Sequence, residues 1–282
     1  MKPLTAEDLD AKYVVVKGLK IRYIVIGSGA PLVLIHGIGE FLEVWWLNVL
    51  PLSEHYRVYA IDLPGHGLSD KPKIDYNLAF ATDVVSGFEQ SMGIDRASLI
   101  GHSLGGLIAM SVAVSYPEQV GKLVLVDSAG FNDRVPLLYR LCCLPLVGEL
   151  IVEPTVKAGI RHGMKRAFYN PDLVSDEMVE KDYQFMKMPG AKQALLNIIR
   201  HGVSFRGPSP EIIFLDKLSL IKSPTLLIHG AQDKVIPLQY ARKARRLIPR
   251  ARLKIIEECG HCPYIEKTPE FNKTVINFLG GS

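Results

Sequence analysis

A serine set between glycines, an aspartate and a histidine, in that chain order, are the residues of this sequence best suited to nucleophilic chemistry. Ser103 lies in Gly101-His102-Ser103-Leu104-Gly105, Asp233 in HGAQDKVIP and His261 in ECGHCPYIEKTPEF. A serine hydroxyl attacks a carbonyl carbon effectively only when a base removes its proton and a third group orients that base. His261 has the chemistry of the base and Asp233 that of its orienting carboxylate. Charge developing on the attacked oxygen then calls for fixed donors. The glycine-rich stretch His36-Gly37-Ile38-Gly39 offers the backbone amide of Ile38, and the residue after the serine offers that of Leu104.

These residues need a scaffold that brings them to one place. Uninterrupted apolar runs recur at 31 to 37, 56 to 65, 97 to 103, 122 to 128, 224 to 230 and 252 to 258. Runs of this kind suit strands covered on both faces, as in a parallel sheet. Residues 13 to 26 differ, because two β-branched runs flank Lys17-Gly18 and predict an antiparallel hairpin. Helices are expected over 76–92, 104–116, 237–248 and 269–279, the last with Pro269 in its first turn and Gly280 at its end. Alternating strands and helices predict an α/β fold, with Ser103, Asp233 and His261 all at the carboxyl edge of the sheet. Ser103 would occupy a tight strand-to-helix turn, where glycines at 101 and 105 relieve collisions and Gly106 lets the helix approach the sheet.

The alternation stops between about 130 and 210, where helices are expected over 137–151, 154–168, 175–187 and 190–203 and no strand is evident. This divides the chain into a core of residues 1–130 and 211–282 and a helical cap of residues 131–210. The cap opens with the apolar segment VPLLYRLCCLPLVGELIV. Its interruption by Pro136, Arg140, Pro145 and Glu149 favours a buried or substrate-facing lid over membrane contact.

Other residues have plainer readings. His102 should point away from Ser103 at such a turn and serve packing. Asp127, after the run KLVLV, is a second position from which an acid could orient the histidine, but Asp233 fits better. Asp62, His66 and Asp70 in DLPGHGLSD are expected to fix a loop. Cys259 and Cys262 bracket His261 in a C-x-x-C spacing without a second ligand pair, so neither metal nor redox chemistry is inferred. Four cysteines in 282 residues do not make a disulfide scaffold. The formal charge of +4 arises from scattered residues, and the cluster Arg242, Lys243, Arg245 and Arg246 reads as a solvated helix face rather than a nucleic-acid site. Acids near the N-terminus and the lack of a long uncharged apolar run predict a cytoplasmic protein.

Taken together, HGIG, DLPGHGLSD, GHSLGG, HGAQDKVIP and GHCPYIEKTPEF resemble the motifs of the α/β-hydrolase superfamily, in its branch with a helical cap. The resemblance spans residues 13 to 279. It implies Ser103 as nucleophile, His261 as general base and acid, Asp233 as the orienting acid, and the Ile38 and Leu104 amides as the oxyanion hole. No cofactor or metal is implied. The expected partner is a small-molecule ester, with no nucleic acid and no stable membrane insertion. Members that hydrolyse carbon–carbon bonds of aromatic ring-cleavage products commonly carry asparagine before the serine, proline in the oxyanion loop and tryptophan after the histidine. This chain has His102, Glu40 and Cys262 there, which favours a carboxylesterase and keeps carbon–carbon cleavage as the alternative. A non-catalytic receptor or scaffold on the same fold is a third reading. Leu137, Leu138 and Leu141 are expected to line a pocket for small to medium apolar esters, and Glu40 at its mouth is expected to disfavour anions.

Overall fold

The protein is described by a computed structural model covering residues 10–131, 134–153 and 157–281. Its strands are β1 (Lys12–Val16), β2 (Leu19–Ile26), β3 (Pro31–Ile35), β4 (Arg57–Ile61), β5 (Ala97–His102), β6 (Val120–Val126), β7 (Val203–Ser204), β8 (Gly207–Pro208), β9 (Thr225–Gly230) and β10 (Ala251–Ile256). Among the described residues, eight of these form one sheet in the order β1-β2-β4-β3-β5-β6-β9-β10. The β1–β2 hairpin turns at Lys17-Gly18, both with positive φ, the conformation that a two-residue turn between twisted strands favours. The hairpin joins β4 antiparallel, and every later pairing in the sheet is parallel.

Both faces of the parallel strands are covered, which explains their continuous apolar runs. Val33, Ile35, Leu99, Leu125 and Leu227 face one side, where they pack with Phe88, Leu107 and Ala241. Their neighbours Leu32, Leu34, Ile100, Val124 and Ile228 face the other, against Trp45, Phe271 and Val275. Period-two alternation therefore feeds two cores from one set of strands, and each fully buried side chain contributes about 1.5–3 kcal/mol of transfer free energy.

The helices are α1 (Val49–Ser53), α2 (Leu78–Ser91), α3 (Leu104–Ser115), α4 (Leu137–Cys142), α5 (Val147–Ile151), α6 (Lys157–Ala167), α7 (Asp176–Met186), α8 (Ala191–Gly202), α9 (Leu238–Leu247), α10 (Pro263–Glu266) and α11 (Thr268–Gly280). Helices α4 to α8 lie between β6 and β9 in the chain. The segment expected as one helix over 137–151 is two, because the chain turns through Leu146, which has φ of 65° just after Pro145. The expected helix start at 154–156 lies outside the described residues. Sequence reading anticipated no strand in this region, yet β7 and β8 form a two-residue ribbon there. The apolar face of α4 and α5 is also not buried: Leu137, Leu138, Leu146 and Leu150 are all exposed. No helix among the described residues is long and apolar enough to cross a membrane. The four basic residues of α9 lie on an exposed face, while Ala241 and Ala244 turn inward.

Candidate active site

Ser103 stands between β5 and α3 with φ 50° and ψ −113°, outside the regions that side-chain-bearing residues prefer. Its amide continues the sheet by donating to Val126 O at 2.9 Å. The flanking glycines are steric necessities. A Cβ at Gly101 would lie 2.3 Å from Gly105 O, and one at Gly105 would lie 2.3 Å from Ile35 O. A Cβ at Gly106 would meet Ser128 Oγ at 2.3 Å, which is why α3 can sit so close to the sheet.

Two loops at the same sheet edge supply the partners. Asp233 follows β9, and its Oδ1 accepts from the amides of Val235 and Ile236 at 2.7 and 3.0 Å. With that oxygen fixed, Oδ2 accepts from His261 Nδ1 at 2.7 Å. Burial alone would raise the Asp233 carboxyl, but the charge of His261 and its hydrogen bond outweigh burial and hold it at about 2. His261 follows β10, and its backbone amide donates to Ala167 O in α6 at 2.7 Å. Ser103 and His261 are both buried side chains that line one cavity. No hydrogen bond joins the Ser103 hydroxyl to the His261 ring here; links of this kind tighten in substrate complexes.

Asp127 packs beside this pair but differs electrostatically. It is fully buried, and its Oδ1 accepts from Gly230 N at 3.0 Å while Oδ2 has no partner. Burial, reinforced by the charge of Asp233, pushes its carboxyl well above the usual range. His229 Nε2 donates to Ile236 O at 2.8 Å, bracing the loop that carries Asp233. Asp127, His229 and Asp233 could in principle hold a cation, as could Glu40, His102 and Cys262. Hydrogen bonds within the protein already engage His229, Asp233, Glu40 and His102. Burial pushes the thiols of Cys259 and Cys262 upward, away from the thiolate form.

Ile38 and Leu104 line a cavity with Ser103, and among the described residues neither backbone amide has an acceptor. The loop bearing Ile38 is set from beneath. His36 Nδ1 donates to Gly37 O at 2.7 Å, and its Nε2 accepts from Leu63 N at 3.0 Å. Asp62 accepts from Leu42 N, Leu68 N and Arg22, while Asp70 accepts from Lys20 N. Arg22 is buried and also reaches Glu43 at 2.7 Å, a closed ion network that sequence reading missed. Its only signal was an arginine inside a β-branched strand.

Two cavities meet at Ser103. The larger, about 810 Å³, includes His261, Leu137, Leu138, Lys181, Asp182 and Lys234. The smaller, about 150 Å³, is mostly apolar and includes Leu63, Leu107, Ile199, Val203 and Ile212. His66 also lines the smaller cavity; its Nδ1 donates to Pro64 O and its Nε2 is unpartnered. Two pocket expectations need correction. Leu141 lines neither cavity, because α4 turns Leu137 and Leu138 toward the larger one instead. Glu40 borders the larger cavity but is not a free charge at its mouth. Burial alone would raise its carboxyl, but the charge and hydrogen bond of His102, the Gly37 amide and His36 together hold it at about 2. Asp182 is the less constrained acid; burial, then the charge of Glu40, pushes it up to about 7.

An α/β sheet with serine, aspartate and histidine gathered at its carboxyl edge over a cavity defines a hydrolase architecture. The family model of the alpha/beta hydrolase fold matches residues 30–268, and the chain belongs to that family as a hydrolase. It is similar to the 2-hydroxy-6-oxo-2,4-heptadienoate hydrolase of Pseudomonas putida, at 30% identity over 95% of both chains. Among solved structures, it resembles a meta-cleavage product hydrolase from Pseudomonas fluorescens, with TM-score 0.82, 28% identity and coverage of 95% of this chain and 97% of that one. A bacterial membrane phospholipase A is also similar, with TM-score 0.79, 29% identity and coverage of 96% and 86%.

Proposed function

We propose that the protein is a serine hydrolase of carboxylic esters that works through an acyl-enzyme. The observation that carries this reading is the His261–Asp233 hydrogen bond of 2.7 Å in the cavity where Ser103 sits on its strained turn. In this mechanism His261 Nε2 takes the Ser103 proton as Oγ attacks the ester carbon, and the Ile38 and Leu104 amides receive the oxyanion. The tetrahedral intermediate collapses as His261 protonates the departing alcohol. Water, activated by the same imidazole, then releases the acid and restores Ser103. Asp233 stays ionised throughout and stabilises the imidazolium. An ester needs nothing more, because its oxygen departs readily as a neutral alcohol once His261 protonates it. The mostly apolar smaller cavity suits a short hydrocarbon group, and the larger one accepts the remainder of the substrate.

A second reading is hydrolysis of a carbon–carbon bond in a dienoate ring-cleavage product. It is favoured by the names of the relatives and by Lys181 and Lys234 in the larger cavity, which suit a substrate carboxylate. A carbon leaving group requires prior tautomerisation of the substrate to delocalise its charge, a demand that esters do not make. The experiment is to assay p-nitrophenyl esters of increasing acyl length beside a 2-hydroxy-6-oxo-dienoate, each with Ser103→Ala as control. Ester turnover that peaks at one length and vanishes in the control supports the first reading. Turnover of the dienoate alone replaces it with the second, and a phosphonate-inert wild type with no turnover removes both.

A further inference from the structure

We propose that Glu40 is a positioning residue that locks the oxyanion loop, the serine turn and the histidine loop into one geometry through a single carboxylate. The inference rests on the serine-hydrolase reading above and adds to it a residue that need not touch substrate. Glu40 Oε2 accepts from Gly37 N at 2.6 Å and from His102 Nδ1 at 2.9 Å. Its Oε1 accepts from the Tyr264 hydroxyl at 3.0 Å. These donors lie on three separate segments: the loop after β3, the end of β5 and helix α10. The other nitrogen of His102, Nε2, donates to the backbone carbonyl of His261 at 2.9 Å, so the clasp reaches the base itself.

Each arm is rigid. Tyr264 is fully buried, its ring 4.5 Å from that of Trp45 and 4.9 Å from that of His102. Gly37 is the residue that permits the close approach, since a Cβ there would lie 2.8 Å from Glu40 Oε2 and 2.9 Å from His102 Nδ1. Charge-assisted hydrogen bonds of this length are stronger than neutral ones, and a carboxylate has enough lone pairs for all three donors. The amide of Ile38 follows Gly37 directly, and Leu104 and Ser103 follow His102. Moving Glu40 would therefore shift both candidate oxyanion donors relative to Ser103. Misplacement of about 1 Å is enough to cost around a hundredfold in rate.

The test compares wild type, Glu40→Gln, Glu40→Ala, Tyr264→Phe and Ser103→Ala. It measures the rate of labelling by a fluorophosphonate, kcat and KM for p-nitrophenyl butyrate, and amide hydrogen exchange. Glu40→Ala is expected to lower both kcat and the labelling rate about 30-fold with KM within about twofold, as expected when an interaction needed only in the transition state is lost. Glu40→Gln, which keeps an acceptor but not the charge, should lie between it and wild type, and Tyr264→Phe should lose only a few-fold. Exchange should accelerate together in segments 36–40, 101–104 and 260–264. Labelling and kcat at wild-type rates in both Glu40 variants, or faster exchange confined to 36–40, would overturn the proposal. If Glu40→Ala does not fold, Glu40→Gln and Tyr264→Phe decide the matter. If the wild type is not labelled at all, the serine reading fails by itself, and the exchange pattern alone decides whether the clasp exists.

Discussion

Two carboxyls a short distance apart have opposite electrostatic fates here. Asp233 has two backbone amides and the His261 ring to stabilise its charge, whereas Asp127 has one amide, full burial and Asp233 itself as a like-charged neighbour. The first is held low and the second is pushed well above the usual aspartate range, so their amide variants should differ sharply. Asp233→Asn removes the acceptor that fixes the imidazole tautomer and should lower kcat about 10⁴-fold. Asp127→Asn keeps the shape of the carboxyl while removing a charge that burial disfavours, and should keep kcat within about threefold. Ester hydrolysis by the two purified variants checks both, and equal losses would show that Asp127 also serves the imidazole. The placement of Ser103, Asp233 and His261 at one sheet edge was legible in the sequence because each follows an apolar strand run and the glycines mark the turn. Glu40 was misjudged because its partners lie 62 and 224 residues away, and linear spacing carries no trace of such contacts.

Helix α2 carries a different kind of buried acid. Glu89 is fully buried on it, both carboxyl oxygens lack partners, and burial pushes the group up to about 8. A folded-state value above the unfolded one means that the folded protein binds the extra proton between the ordinary glutamate value and about 8. Stability should therefore be greatest at the acid end of that window and fall as pH rises through it, by a few kcal/mol in order of magnitude. Glu89→Gln should abolish that slope, so calorimetry at pH 5 and pH 8 should show the variant gaining on wild type at the higher pH. An unchanged slope would mean that Glu89 finds a partner in solution. Periodicity revealed α2 and α3 within a few residues of their observed ends, since their apolar faces meet a regular sheet. It failed over 137–151, where Pro145 and Leu146 break the helix without disturbing hydrophobic content.

At the scale of the molecule, the fold was legible because the sheet is covered on both faces, and that requirement writes continuous apolar runs into the chain. The helical segment facing the cavities was less so, since its leucines are shared between cavity wall and outer surface. Its attachment to the core is specific. Glu266 accepts from Tyr169 N at 2.7 Å on the helical side, and from Gly260 N at 2.8 Å beside His261. Glu266→Ala should therefore lower kcat about tenfold by loosening the base, with a smaller effect on KM. Steady-state kinetics test this, and a change confined to KM would place Glu266 in substrate admission alone. The hydrogen bond from His261 N to Ala167 O extends the same logic. If His261 is the proton carrier proposed above, the helical segment over the cavity and that carrier share a fastening, so lifting the segment at Ala167 would disarm the chemistry in the same motion.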